Sequence, residues 1–153
     1  MSVLDSIQKA VSERNLQEVL RLAMEYFHAD TGSIHLLEPD GALHLKAASA
    51  GIPEPVLKAV AVVPVGKGMA GLAVERKQPV TVCNLQGNSS DARPGAKASG
   101  MESALVVPVL HGDKAIGALG IASRQARTFT SQETDVLMNI GRAIAVQGVY
   151  DQR

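Results

Sequence analysis

The sequence predicts an α+β domain: a largely antiparallel sheet with helices from the two ends of the chain covering one face. Three observations carry this. Two strand pairs, Ser33–Ser49 and Glu102–Ser123, are each closed by a tight turn, a connection open to antiparallel neighbours only. Apolar residues recur at helical spacing near both termini. A length of 153 residues, with no internal repeat and no linker, suits one domain over residues 1–153, with terminal helices at about 2–12 and 131–150.

Val3, Leu4, Ile7, Ala10 and Val11 form the stripe of a first amphipathic helix. Asn15 stands three residues before Glu18, a capping pair. Leu16, Val19, Leu20, Ala23, Met24 and Phe27 then continue a second helix, expected to stop near Thr31-Gly32. In the first hairpin Ile34 and Leu36 are expected opposite Leu45 and Leu43, with Pro39-Asp40-Gly41 as the turn. That register sets His35 facing His44 on the more polar side. The pair is read as a solvated cross-strand contact, as a pH-sensitive pair, or as two of the ligands a metal needs, with no third nearby in sequence.

"GIPEPVLKAV" reads as a loop leading into a short helical turn. Ala59–Val65 then reads as a strand, Met69–Arg76 as a helix and Val80–Cys83 as a strand. Asn84–Gly100 is a long polar segment rich in Gly, Ser, Asn and Pro, the type of loop that carries function or moves. Gly112-Asp113 turns the second hairpin. Thr130-Ser131-Gln132-Glu133 is a capping box opening a long helix striped by Val136, Leu137, Ile140, Ala143 and Ile144.

Composition excludes several classes. Lys+Arg and Asp+Glu both number 15, so the chain lacks the basic excess of a duplex binder. Aromatics are 3% with no Trp, too few for a base-stacking platform. One cysteine, Cys83, provides neither an internal disulfide nor a Cys-rich zinc site, and reads as a small buried apolar residue. No apolar run approaches the ~18–20 residues that span a bilayer. "MSVLDSIQKAVSERN" lacks the apolar core of a signal peptide, so a cytoplasmic location is expected.

Gly66-Lys67-Gly68-Met69-Ala70-Gly71 satisfies G-x-G-x-x-G, but its context is wrong for a dinucleotide turn. A helix pair and a hairpin precede it, its helix is short, and the following strand ends at Cys83-Asn84 rather than an acid. The glycines are read instead as a sharp strand-to-helix turn, with Gly71 there for close packing.

Four stretches in this order resemble the GAF domain family, a small-molecule-sensing module of signalling proteins. They are "ADTGSIHLLEPDGALHLKAASAG", "VPVGKGMAGLAVERKQPVTVCNL", "SALVVPVLHGDKAIGALGIAS" and "FTSQETDVLMNIGRAIA". The resemblance covers residues 5–148. It implies a GAF- or PAS-like central antiparallel sheet of five to six strands with the terminal helices on one face. The other face would hold a ligand pocket roofed by short helices and the long loop. It also implies a homodimer through the terminal helices.

The family's special chemistries are missing their residues. Haem-binding members ligate iron through a His where this chain has Glu102, and bilin-binding members need a thiol in or near the polar loop, which has none. Of the cyclic-nucleotide constellation, at Ser123, Arg124, Phe129, Gln132 and Glu133 here, only the Phe and the Glu agree. Free methionine sulfoxide reductases carry thiols at positions that match Ala70 and Lys97. No cofactor is therefore expected.

The resemblance locates the pocket, and strand alternation fills it. Leu105, Val107, Leu119 and Ile121 should face the terminal helices; Glu102, Ala104, Val106, Ala118 and Gly120 should face the pocket. Met69, His35, Asn84 and Arg93 complete the candidate ligand contacts, Arg93 for an anionic group. The expected protein is a non-enzymatic regulatory domain. It binds an unidentified small ligand and signals through its terminal helices, without direct contact to nucleic acid or membrane. The alternatives are a dimerisation module with a closed pocket, and a free methionine sulfoxide reductase-like enzyme.

Overall fold

The computed structural model describes residues 3–13, 15–50, 52, 54–82, 102–125 and 127–151. Its helices are α1 (Val3–Ser12), α2 (Leu16–Phe27), α3 (Glu54–Val60), α4 (Gly68–Arg76) and α5 (Ser131–Asp151). Its strands are β1 (Thr31–Leu37), β2 (Ala42–Ala48), β3 (Val62–Pro64), β4 (Val80–Val82), β5 (Ser103–His111) and β6 (Lys114–Ser123). The six strands form one sheet in the order β3-β2-β1-β6-β5-β4, every neighbouring pair antiparallel. Two hairpins thus lie side by side through the central β1–β6 pair. Among the described residues the two outer strands, β3 and β4, are three residues long each.

The helix-covered face holds the main core. Ile7 of α1, Val19, Leu20 and Phe27 of α2, and Leu137, Ile140 and Ile144 of α5 are buried against Ile34, Leu105, Val107, Leu119 and Ile121. The apolar stripes are where the spacing predicts. The capping box is complete: the Glu133 N–H donates to Thr130 Oγ1 at 3.0 Å, and the Thr130 N–H donates to Glu133 Oε1 at 2.9 Å. Asn15 caps α2 by accepting from the Glu18 N–H at 3.1 Å, while the Glu18 carboxylate pairs with Arg21 instead of reaching back.

Three expectations are corrected. Helix α2 ends at Phe27, with His28 left-handed at φ 54°, and Thr31-Gly32 already belongs to β1. Gly32 lets the sheet approach α2: a Cβ there would stand 2.8 Å from Leu20 Cδ1. Ala59–Val65 is not one strand, because α3 runs to Val60 and only Val62–Pro64 pairs. Pro55 stands in the first turn of α3, where its missing N–H costs nothing. The first hairpin has another register: Leu36 opposes His44, Leu37 opposes Leu43, and a bulge lies between the Ile34–Ala47 and His35–Leu45 pairs. One inserted residue, Lys46, reverses which face the side chains of β2 meet, so Leu43 lies on the face away from the helices. The second hairpin turns through Gly112-Asp113 as expected, with Gly112 at φ 65°.

Candidate functional site: the open face of the sheet

The face of β1, β5 and β6 turned away from α1, α2 and α5 is a floor of small uncharged side chains. Cross-strand pairing arranges it in rows: Thr31–Ala122–Ala104, then Ser33–Gly120–Val106, then His35–Ala118–Pro108. Ala104, Ala118 and Gly120 are buried and Val106 is half-buried. The orientation deduced from alternation is the one observed, since Leu105, Val107, Leu119 and Ile121 lie in the helix-side core and Ala118 and Val106 do not.

Helix α4 covers one end of this floor. Val74 packs on Ala118 and Leu43, with Ala70, Val106 and Val63 half-buried around them. The GKGMAG turn sets α4 down there. Gly66 and Gly68 take φ of 89° and 63°, conformations that side-chain-bearing residues rarely adopt. The Gly66 N–H donates to Gly71 O at 2.9 Å, and a Cβ on Gly71 would lie 2.4 Å from Pro64 O. The glycines therefore fold the turn back on its own helix and press that helix on β3. At the other end of the floor Ser33 and Ala122 stay half-buried, and Val106 lies in the middle row against the α4 cluster.

His35 is 3% exposed, and its Nε2–H donates to the Val60 carbonyl at 2.8 Å. Burial holds its pKa below the usual imidazole range, an effect opposed by the bond to Val60. The expected pairing with His44 does not occur: the bulge sets the two on opposite faces, and His44 Nε2 meets Asp40 Oδ2 at 2.8 Å. Among the described residues no three His, Cys, Asp or Glu come together to hold a metal ion.

Glu102 is half-buried just before β5, with its N–H donating to Ser123 O at 2.8 Å. Met69 is half-buried in the first turn of α4. Asn84, Arg93, Lys97 and Cys83, and the loop that carries the first three, lie outside the described residues. The residues that resemble the cyclic-nucleotide constellation have structural partners. Ser123 Oγ accepts from the Gln125 N–H at 3.1 Å, and the Arg124 N–H donates to Asp30 Oδ2 at 2.7 Å. Glu133 adds an ion pair with Arg127 at 2.8 Å to its capping role; Arg127 also donates to Phe27 O at 2.8 Å and stacks 4.6 Å from the Phe129 ring centroid.

Two features escape sequence reasoning. Ala70 and Val74 are four apart on α4 and cover the floor; their spacing was visible, but not which face would receive them. A groove of about 710 Å³ runs along the outside of α2, lined by Arg21, Met24, His28 and Ser49 among others. Several of its polar side chains have partners. Arg21 bridges Glu18 at 2.7 Å and Glu25 at 2.9 Å, and Gln17 Nε2 donates to Ala48 O at 2.6 Å.

An antiparallel six-stranded sheet with terminal helices on one face and a small-residue floor on the other defines a class of ligand-binding sensory domains. The profile of the GAF domain matches residues 13–146, and the chain belongs to this family. A search of curated proteins found no significant match. Solved structures share the fold at low identity. The GAF domain of a phosphoenolpyruvate-protein phosphotransferase from Coxiella burnetii is 20% identical at a TM-score of 0.81, over 97% of this chain and 91% of that one. The corresponding domain from Acinetobacter is 22% identical at 0.74, over 98% and 95%. Free methionine-R-sulfoxide reductase from Neisseria meningitidis, in complex with its substrate, is 20% identical at 0.77, over 95% and 85%. No helix among the described residues is long and apolar enough to cross a membrane.

Proposed function

We propose that this GAF domain is a non-enzymatic sensor that binds a small ligand on the open sheet face and signals through its terminal helices. The observation that carries the reading is the half-buried end of the floor. Ser33 and Ala122 lie half-buried beside the buried Ala104 and Gly120, with no charged side chain in those rows, and Val106 in the middle row meets the α4 cluster. Small side chains there leave depth for a ligand. Its contacts would include Ala104, Val106, Ala118, Gly120, Met69, His35 and Glu102, together with the loop candidates Asn84 and Arg93. The ligand would bias the helices only through its different affinity for their two arrangements.

The second reading is enzymatic, favoured by the likeness to free methionine-R-sulfoxide reductases. The positions that match their thiols hold Ala70 and Lys97, and the chain has one Cys, so an intramolecular disulfide cannot close a catalytic cycle. Thermal unfolding with free methionine-R-sulfoxide as the first probe, followed by other small metabolites, tests the sensor. A ligand at a hundred times its Kd adds about 2.7 kcal/mol. Ala122→Trp, placed on the half-buried end, is expected to abolish that shift while the domain stays folded; a shift that survives disproves the site. Turnover of methionine-R-sulfoxide with a dithiol would instead establish the enzyme. The reading includes a homodimer through α1 and α5. Exposed Lys9, Asp135 and Arg142 make its strength salt-dependent, which sedimentation at two ionic strengths measures.

A further inference from the structure

His35 is the one titratable side chain buried among the described residues. It stands on the central strand β1, and its hydrogen bond ends on Val60, the last residue of α3. Terminal helix carbonyls lack intrahelical partners, so this imidazole supplies the cap. A carbonyl only accepts, so the bond fixes the proton on Nε2. Helix α3 has seven residues, too few to persist alone, and Val56 is its one buried residue.

We propose that His35 is a proton-controlled latch: neutral, it pins α3 to the sheet, and protonated, it lets α3 lift away while the rest of the domain stays folded. The surroundings favour the neutral ring. Across β1 the neighbours are Leu45 on β2 and Ala118 on β6, and α4 presents Val74 to Ala118. The ionisable residues of α3 and α4, which are Glu54, Lys58, Glu75 and Arg76, are exposed. Glu75 is turned to Gly66. Among the described residues no carboxylate faces the ring to compensate an imidazolium.

The sign follows from burial. The lowered pKa belongs to the closed state, whereas an open, solvated His35 titrates near the ordinary value of ~6.5. Opening therefore takes up a proton below that pH. The latch is complete above about pH 6.5 and weakens as pH falls. Between pH 7.5 and 5.5 the open state gains up to about tenfold. His35 is also one of the floor's proposed ligand contacts, so the latch is read on the ligand-free chain.

Hydrogen exchange on the full chain at pH 7.5, 6.5 and 5.5, corrected for intrinsic rates, tests it. Protection of the α3 amides is expected to fall across that range by up to about tenfold, with β5 and β6 unchanged. In His35→Gln the amide still donates to Val60 but does not titrate, so the α3 profile becomes flat. A flat wild-type profile, an equal fall in α3 and β5, or an unchanged pH dependence in His35→Gln overturns the latch. Should His35→Gln fail to fold, the His35 Cε1–H resonance decides. A midpoint matching the loss of α3 protection supports the latch, and a different midpoint overturns it.

Discussion

The two faces of one sheet are built differently. Under α1, α2 and α5 lies a continuous core of large aliphatic side chains, filled from both layers. On the other face, among the described residues, the buried cluster is Leu43, Val74 and Ala118 beneath one short helix. On β5 and β6 alternation turns large residues to the helices and mostly small ones to the floor, whereas β2 turns Leu43 to the floor. The difference teaches that one face carries the packed base of the fold, while the other is the surface proposed for recognition. Large side chains interdigitate into a rigid base, whereas Ala and Gly leave a surface whose covering can change.

The contrast breaks most severely on the helix face. Leu119→Ala, with Leu119 fully buried, is expected to lose about 2–5 kcal/mol in urea unfolding. A loss below about 1 kcal/mol would mean that this core is not the base of the fold. Gly71→Ala comes next, because its Cβ would stand 2.4 Å from Pro64 O. Overpacking there should cost about 1–3 kcal/mol, against the ~1 kcal/mol gain Ala brings to an unconstrained helix. A stabilised variant would show that α4 is not pressed on β3. Val74→Ala removes two methylene equivalents from the thin cluster, about 1.5 kcal/mol, and should loosen α4 in hydrogen exchange while α5 keeps its protection. Thr130→Ala, which deletes half of a partly exposed cap, is expected to cost about 1 kcal/mol and to fray only the first turn of α5.

Much of the helix face was legible. Stripes such as Val19-Leu20-Ala23-Phe27 and Leu137-Ile140-Ile144 have one period and one face, and Thr130-Glu133 is a local device whose partners lie three residues apart. The floor was half legible. Period-two alternation told Leu105 from Val106 and Leu119 from Ala118, because β5 and β6 are regular there. It failed on β2, where a bulge at Lys46 separates Leu43 from Ala47 and parts His35 from His44. A bulge has no sequence signature of its own; it is chosen by how the hairpin fits its neighbours. Nor did sequence spacing announce that His35 would meet Val60, twenty-five residues away.

The sequence by itself determined the element order, both hairpin turns, the caps, the helix-side core and the family, since each rests on contacts within a few residues or on a fixed period. Only the tertiary structure decided the register of the first hairpin, the burial of His35 under α3, and the seating of α4 on Ala118. Those depend on long-range packing, where the shape of the assembled sheet chooses among local conformations that the chain permits equally well.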